Sequence, residues 1–456
     1  MVPNTDVQVA PKLSRSAIRK NVLLMSMCFS LNHACVTTVI GLASSELGDT
    51  LGGVSVGVLY LMYTLTAMVG ATGIVEKVGT KRALVTGAWA YCFYVGSFLL
   101  AILWESGEWG FCMAGSLLGG TAAGWLWTAQ GAYFSVAVEL HVDATQRGET
   151  TELLSKNAAE IAEEKTKVSA QLAGLFSMCY LGCEVGVKIL SFGVLLAPGG
   201  STFLFVVLTI IACVSSCGLS YIVQLEPKTS VEGGKPAWHS AFGALELLFT
   251  DRKMILLYPA EMAYGFFIAF VNYYAASKIL DEYLSEASIP LLGSLISLVA
   301  AAVSMPFSSA AITYGKAPLM VGGLLALLLD MIVFTFLSDH TLGNWAILVP
   351  MYTVYGLARA VFEGQNKAIL QDFFPQQGAA WSANFILSSG IAGGLGFILF
   401  PYLSKLAITT ICSGTSFLGI LGFILAQRLY EHEVAENLQK ADFKGKSIVT
   451  GTGDAP

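Results

Sequence analysis

Charge is what this sequence has least of. Only 12% of its 456 residues are Asp, Glu, Lys or Arg, while 55% are hydrophobic and the mean hydropathy is +0.67. Soluble domains carry roughly 25% charged residues. A chain this long and this poor in charge could not stay in solution with its apolar residues facing water, so a soluble globular protein is excluded. No basic block is present, which excludes a nucleic-acid surface, and the net charge of -6 is spread thinly. The nine cysteines all fall inside apolar runs, so a disulfide framework is not expected. Cys179/Cys183 and Cys213/Cys217 are helical neighbours without a histidine beside them, which reads as packing and not as a metal site. No nucleophile with a base, phosphate loop or metal signature is found. An enzyme is therefore not expected, nor any cofactor.

What the sequence does have is long hydrophobic runs. A span needs about 20 apolar residues. Twelve are expected: 21–43, 54–75, 83–104, 110–133, 170–197, 202–224, 254–275, 287–308, 317–337, 345–364, 381–402 and 406–426. The first run is too long for the apolar region of a cleaved signal peptide and reads as an anchor that stays in the chain. If the N-terminus is cytoplasmic, the cytoplasmic segments hold all but three of the 25 basic residues, the exceptions being Lys188, Lys278 and Lys405. That asymmetry predicts a multi-pass protein of the lipid bilayer with both termini in the cytoplasm. Plasma membrane and internal membranes are not distinguished. The expected layout is a tail 1–20, a six-helix half 21–224 with a cytoplasmic insertion 139–169, a linker 225–253, a second half 254–426 and a tail 427–456. Glu152/Lys156 and Glu163/Lys167 suggest helix in the insertion.

The two halves show signs of duplication. Gly79 in "VGTKRAL" and Gly315 in "YGKAPLM" are 236 positions apart, and Gln130 and Gln365 are 235 apart, each with an aromatic three residues earlier. Six spans, a linker and six related spans predict an all-α, six-plus-six bundle.

"GIVEKVGTKR" between spans 2 and 3 carries Gly73, Glu76, Gly79, Lys81 and Arg82. It resembles the loop motif of the major facilitator superfamily, with Glu for Asp. "LWTAQGAYF", "LLFTDRKMILLYPAEMAYGFFIAF" and "YGLARAVFEGQNKAILQDFFP" are similar to stretches of the uncoordinated-93-like family, a branch of that superfamily. The resemblance covers the whole chain in layout. It implies a twelve-helix bundle, and it also implies association with ion channels or receptors. The chain departs from it in the length of 139–169 and in the charges of span 5. Two functions follow as expectations. One is a secondary transporter of a small solute or cation. The alternative is a regulator or trafficking partner of another membrane protein.

Intramembrane charges name the candidate site. Glu184 and Lys188 stand at i, i+4 in the apolar run Ala170 to Ala197. Either alone costs about 3 kcal/mol at that depth, so they are expected to pair and to line an interior cavity, with Gly182 and Gly186 leaving room beside them. Glu184 is the expected coupling site and Lys188 a gate or anion partner. His33, Asn32 and Glu261 are further substrate or coupling candidates, with His33 able to carry a proton near neutral pH. Asp330 is expected outside the path. Arg359/Glu363, near the cytoplasmic end of span 10, are gate candidates together with Gln130 and Gln365. Trp125 and Trp127 are expected as interfacial anchors. Gly115, Gly119, Gly120 and Gly124 have small-residue spacing for close helix packing.

Overall fold

The computed structural model describes residues 13–148, 158–225, 245–375 and 377–450. The middle of the 139–169 insertion, including Glu152/Lys156, most of the linker, and residues 1–12 and 451–456 lie outside them, as does the side chain of Glu163.

The described residues form twelve long helices and no strand. The first half contains α1 (Arg15–Leu47), α2 (Asp49–Val69), α3 (Thr80–Leu103), α4 (Glu108–Gly148), α5 (Ala158–Leu195) and α6 (Gly200–Leu219). The second contains α7 (Arg252–Asp281), α8 (Ser288–Tyr314), α9 (Ala317–Phe336), α10 (Trp345–Phe373), α11 (Gly378–Leu399) and α12 (Lys405–Thr450). Each matches one expected span. Helices are the form that satisfies every backbone group within its own segment in hydrocarbon. Eleven of the twelve are long and apolar enough to cross a membrane. The twelfth, α4, is diluted by its glycines, and those glycines let it nest against α2 and α3. A Cβ at Gly119 would stand 2.9 Å from Tyr94 of α3, and one at Gly124 would stand 2.7 Å from the Ala67 backbone nitrogen of α2. The expected close packing is present here.

The start of α1 and the end of α12 lie at one end of the bundle, called here the terminal end. Near it Asn21 Oδ1 accepts from the Val223 backbone nitrogen, and Lys253 at the start of α7 pairs with Glu433 of α12. The loop motif is at this end too. A short helix, Ala71–Val78, leads to Gly79, whose φ of 86° is left-handed territory that glycine enters without cost. Gly315 has φ 84° at the equivalent corner of the second half. Gln224 tethers the first corner by accepting from the Lys81 backbone nitrogen at 3.1 Å. Glu76 of the motif is exposed at this corner.

The halves meet along two seams. In one, α2 packs on α11: a Cβ at Gly57 would stand 2.8 Å from the Gly394 carbonyl, and one at Gly394 would stand 2.8 Å from Leu61. In the other, α5 packs on α8, where Lys188 Nζ donates to the Gly293 carbonyl at 3.4 Å. At the far end Lys278 of α7 pairs with Asp49 of α2 at 2.6 Å, and Ser201 of α6 donates to Glu286 beside α8 at 3.0 Å.

Candidate functional site

Helical spacing builds the site. Tyr180, Glu184 and Lys188 recur every four residues on α5, so they share one face. Tyr352, Tyr355, Arg359 and Glu363 recur at three and four on α10 and share another. The faces meet across a cavity of about 180 Å³ between the halves. His33, Thr37 and Ile40 of α1, Tyr60 of α2, Tyr264 and Asn272 of α7 and Gly293 of α8 are also on its wall, with apolar residues of α7 and α8 between them.

Glu184 is the hub. Arg359 approaches it as a fork, with Nη1 donating to Oε1 at 2.9 Å and Nη2 donating to Oε2 at 2.8 Å. Lys188 Nζ adds a third bond to Oε1 at 2.6 Å. The remaining edge of the guanidinium is also used: Nε donates to Glu363 Oε1 at 2.8 Å, and Nη1 donates to Ser297 Oγ at 3.0 Å. Tyr264 donates to Glu363 Oε1 at 3.3 Å. Two acids and two bases therefore balance, and the Arg359–Glu184 bond ties the second half to the first. Charge-assisted, bidentate bonds of this kind are the strong ones. Glu184 is 3% exposed, whereas the Glu363 side chain is 35% exposed, so Glu363 is the carboxylate that a visitor meets first.

The expected Glu184/Lys188 pair is present, but its principal partner lies 175 residues away. Arg359 and Glu363 are not at a helix end. α10 runs on through a wide π turn, Val361–Gln365, and a further helix, Asn366–Phe373, which puts Arg359 midway along it. Two of the gate candidates, Arg359 and Glu363, thus join the Glu184/Lys188 pair in one cluster. His33 does line the cavity, with its ring stacked on Tyr180 at 5.4 Å and edge-on to Trp127 at 5.1 Å. Trp127 also meets Phe29 at 4.8 Å, so it is an interior ring and not an interfacial anchor. Trp125 likewise packs on the protein, beside Gly87 of α3.

Other candidates are elsewhere. Asn32 turns to α3 and α6, where its Nδ2 donates to the Ala212 carbonyl at 3.1 Å and Ser216 Oγ at 3.0 Å. One step along a helix rotates a side chain by about 100°, which is why the neighbour of a cavity residue points away from the cavity. Glu261 lies outside the cavity, against Asn366. Gln130 and Gln365 are also outside it, and Asp330 is buried on α9 away from it, as expected. Gly182 and Gly186 do not make room for the charges. They face an apolar cleft of about 770 Å³ between α1, α5 and α6, and no atom comes within 4 Å of a Cβ built at either. The cavity tyrosines went unnoticed in the sequence. Their three- and four-residue spacing from Glu184, Arg359 and Glu363 was the signal. Among the described residues no group of three His, Cys, Asp or Glu side chains could hold a metal.

No family model matches the chain. By sequence it is similar to protein unc-93 homolog A of Mus musculus, 22% identical over 464 residues, covering 94% of this chain and 97% of that one. Protein unc-93 homolog A of Bos taurus is 25% identical over 435 residues, covering 86% and 88%. The chain resembles the Unc-93-like family along nearly its whole length. In fold it is similar to the xylose transporter XylE from E. coli in a partially occluded inward-open conformation, with TM-score 0.63, 13% identity and coverage of 91% and 97%. At that identity the likeness is one of fold: an all-helical major facilitator bundle. The Unc-93-like resemblance and this fold together make the chain a multi-pass membrane protein.

Proposed function

We propose that the protein is a secondary transporter that moves a small solute by alternating access, coupled to a cation gradient. The observation that carries this reading is the charge cluster. A buried carboxylate of one half is held by an arginine of the other, on the wall of a cavity between them. Ionisable groups at membrane depth are costly and mark solute or ion paths more often than scaffolding. In this reading a cation arriving at Glu184 competes with Arg359 and Lys188. Neutralising Glu184 releases the bond between the halves and leaves the cluster with net positive charge, ready for an anionic group. Glu363 holds Arg359 in the interim. The far-end bonds, Lys278 to Asp49 and Ser201 to Glu286, hold that side closed in this conformation and part when the halves rock. The terminal end is assigned to the cytoplasm on the excess of basic residues there. Segments 139–169 and 225–253 then lie on the cytoplasmic side of a six-plus-six chain.

One observation favours the alternative, a non-transporting regulator of another membrane protein. All four charges are satisfied by one another in a cavity of about 180 Å³, smaller than most ligand pockets. Proton and potassium flux into liposomes, normalised to folded protein, separates the two. Transport predicts flux in wild type that Glu184→Gln abolishes. Regulation predicts no flux in either, and loss of partner association when part of 139–169 is deleted.

A further inference from the structure

Glu261 is a buried acid that the cavity does not use. It lies on α7, 3% exposed, and faces Asn366 of α10, which is 1% exposed. Asn366 Nδ2 donates to Glu261 Oε1 at 2.7 Å. The other two oxygens of the pair, Glu261 Oε2 and Asn366 Oδ1, are buried and have no hydrogen-bond partner among the described residues. Two orphaned acceptors on one buried pair are rare in native proteins and call for an explanation. Turning the amide over does not help, because Oδ1 would then face Oε1, acceptor to acceptor.

The groups that bear on Glu261 electrostatically are Lys367 of α10 and Tyr258 of its own helix. Neither supplies the missing bond. The Lys367 amine sits over the Phe385 ring of α11 at 5.8 Å, and the Tyr258 hydroxyl donates to Asn384 of α11 at 2.7 Å.

We infer that Glu261 is a proton-binding site, a neutral carboxylic acid whose Oε2–H donates to Asn366 Oδ1. A carboxylic acid and a primary amide make a two-bond ring, N–H to C=O and O–H to C=O. One of those bonds is in place, and a single proton supplies the other while removing both orphans. The proton also removes a buried charge that makes no ion pair among the described residues. Asn366 stands directly after the π turn Val361–Gln365, three residues beyond Glu363. The acid–amide ring therefore fastens α7 to the part of α10 that follows the charged cluster, and its proton is separate from any cation that reaches Glu184. The inference does not depend on whether the protein moves a solute.

The test is infrared difference spectroscopy of the full chain in lipid at pH 7, wild type against Glu261→Gln. The expected result is a protonated-carboxyl carbonyl band that shifts in D2O and is missing in Glu261→Gln. If the difference shows only an ionised carboxylate, the proposal is overturned. Should Glu261→Gln not fold, Asn366→Ala carries the test. The acid band should move to higher frequency on losing its acceptor, and an unmoved spectrum overturns the proposal. Because the readout is spectroscopic, absence of transport would sink the functional reading and leave this one standing.

Discussion

Arg359 spends all three of its nitrogens, two on Glu184 and one on Glu363. Its planar fork reaches both acids at once, which an ammonium cannot do. Arg359→Ala leaves Glu184 with Lys188 alone and is expected to cost about 3–5 kcal/mol, the usual result of stranding one member of a buried pair. Arg359→Lys should cost less but still lose the link to Glu363. A double-mutant cycle of Arg359→Ala with Glu184→Gln, read by thermal unfolding in detergent, should give strong coupling, and additive effects would refute the geometry. The Glu184/Lys188 pairing was legible because i, i+4 contacts are local. The Arg359 partnership was not. Periodicity says which face of a helix a residue occupies, never which helix stands opposite.

Two helices carry glycines at the same four-residue spacing, and the structure treats them oppositely. On α4, Gly124 is pressed against Thr66 and Ala67 of α2, so Gly124→Val should drive the helices apart and lower stability by about 1–3 kcal/mol through overpacking. On α5, Gly182 and Gly186 look onto open space beside the apolar cleft. Gly182→Ala should be neutral or stabilise by up to about 1 kcal/mol, since alanine restricts the unfolded chain and favours helix. Melting temperatures of the two variants side by side check this contrast. Spacing alone does not tell the two faces apart. What separates them is the neighbour: α2 lies against Gly124, while a cleft lies beside Gly182 and Gly186.

Closure of the far end rests on exposed, modest bonds. Lys278 and Asp49 are each about one-third exposed, so their pair is worth no more than about 1 kcal/mol. Lys278→Met should therefore loosen the far end without unfolding the bundle, shifting a two-state balance by up to about fivefold. Spin labels at Leu196 and Tyr402, exposed at the far ends of the two halves, would report a longer or broader distance distribution in the variant. An unchanged distribution would show that the pair does not hold the halves.

By itself the sequence determined the bundle. Length of apolar run, satisfaction of backbone groups and placement of basic residues are properties of single segments, so twelve spans and two related halves could be read from it. It also marked Glu184, Lys188, His33, Arg359 and Glu363 as costly residues that need an interior setting. The tertiary structure decided who meets whom. It joined the presumed gate to the presumed coupling pair, turned Asn32 toward α6, and set Glu261 against Asn366 outside the cavity. The reason is physical. Burial cost belongs to a residue and its depth, while pairing depends on the crossing of helices far apart in the chain, which no local pattern encodes.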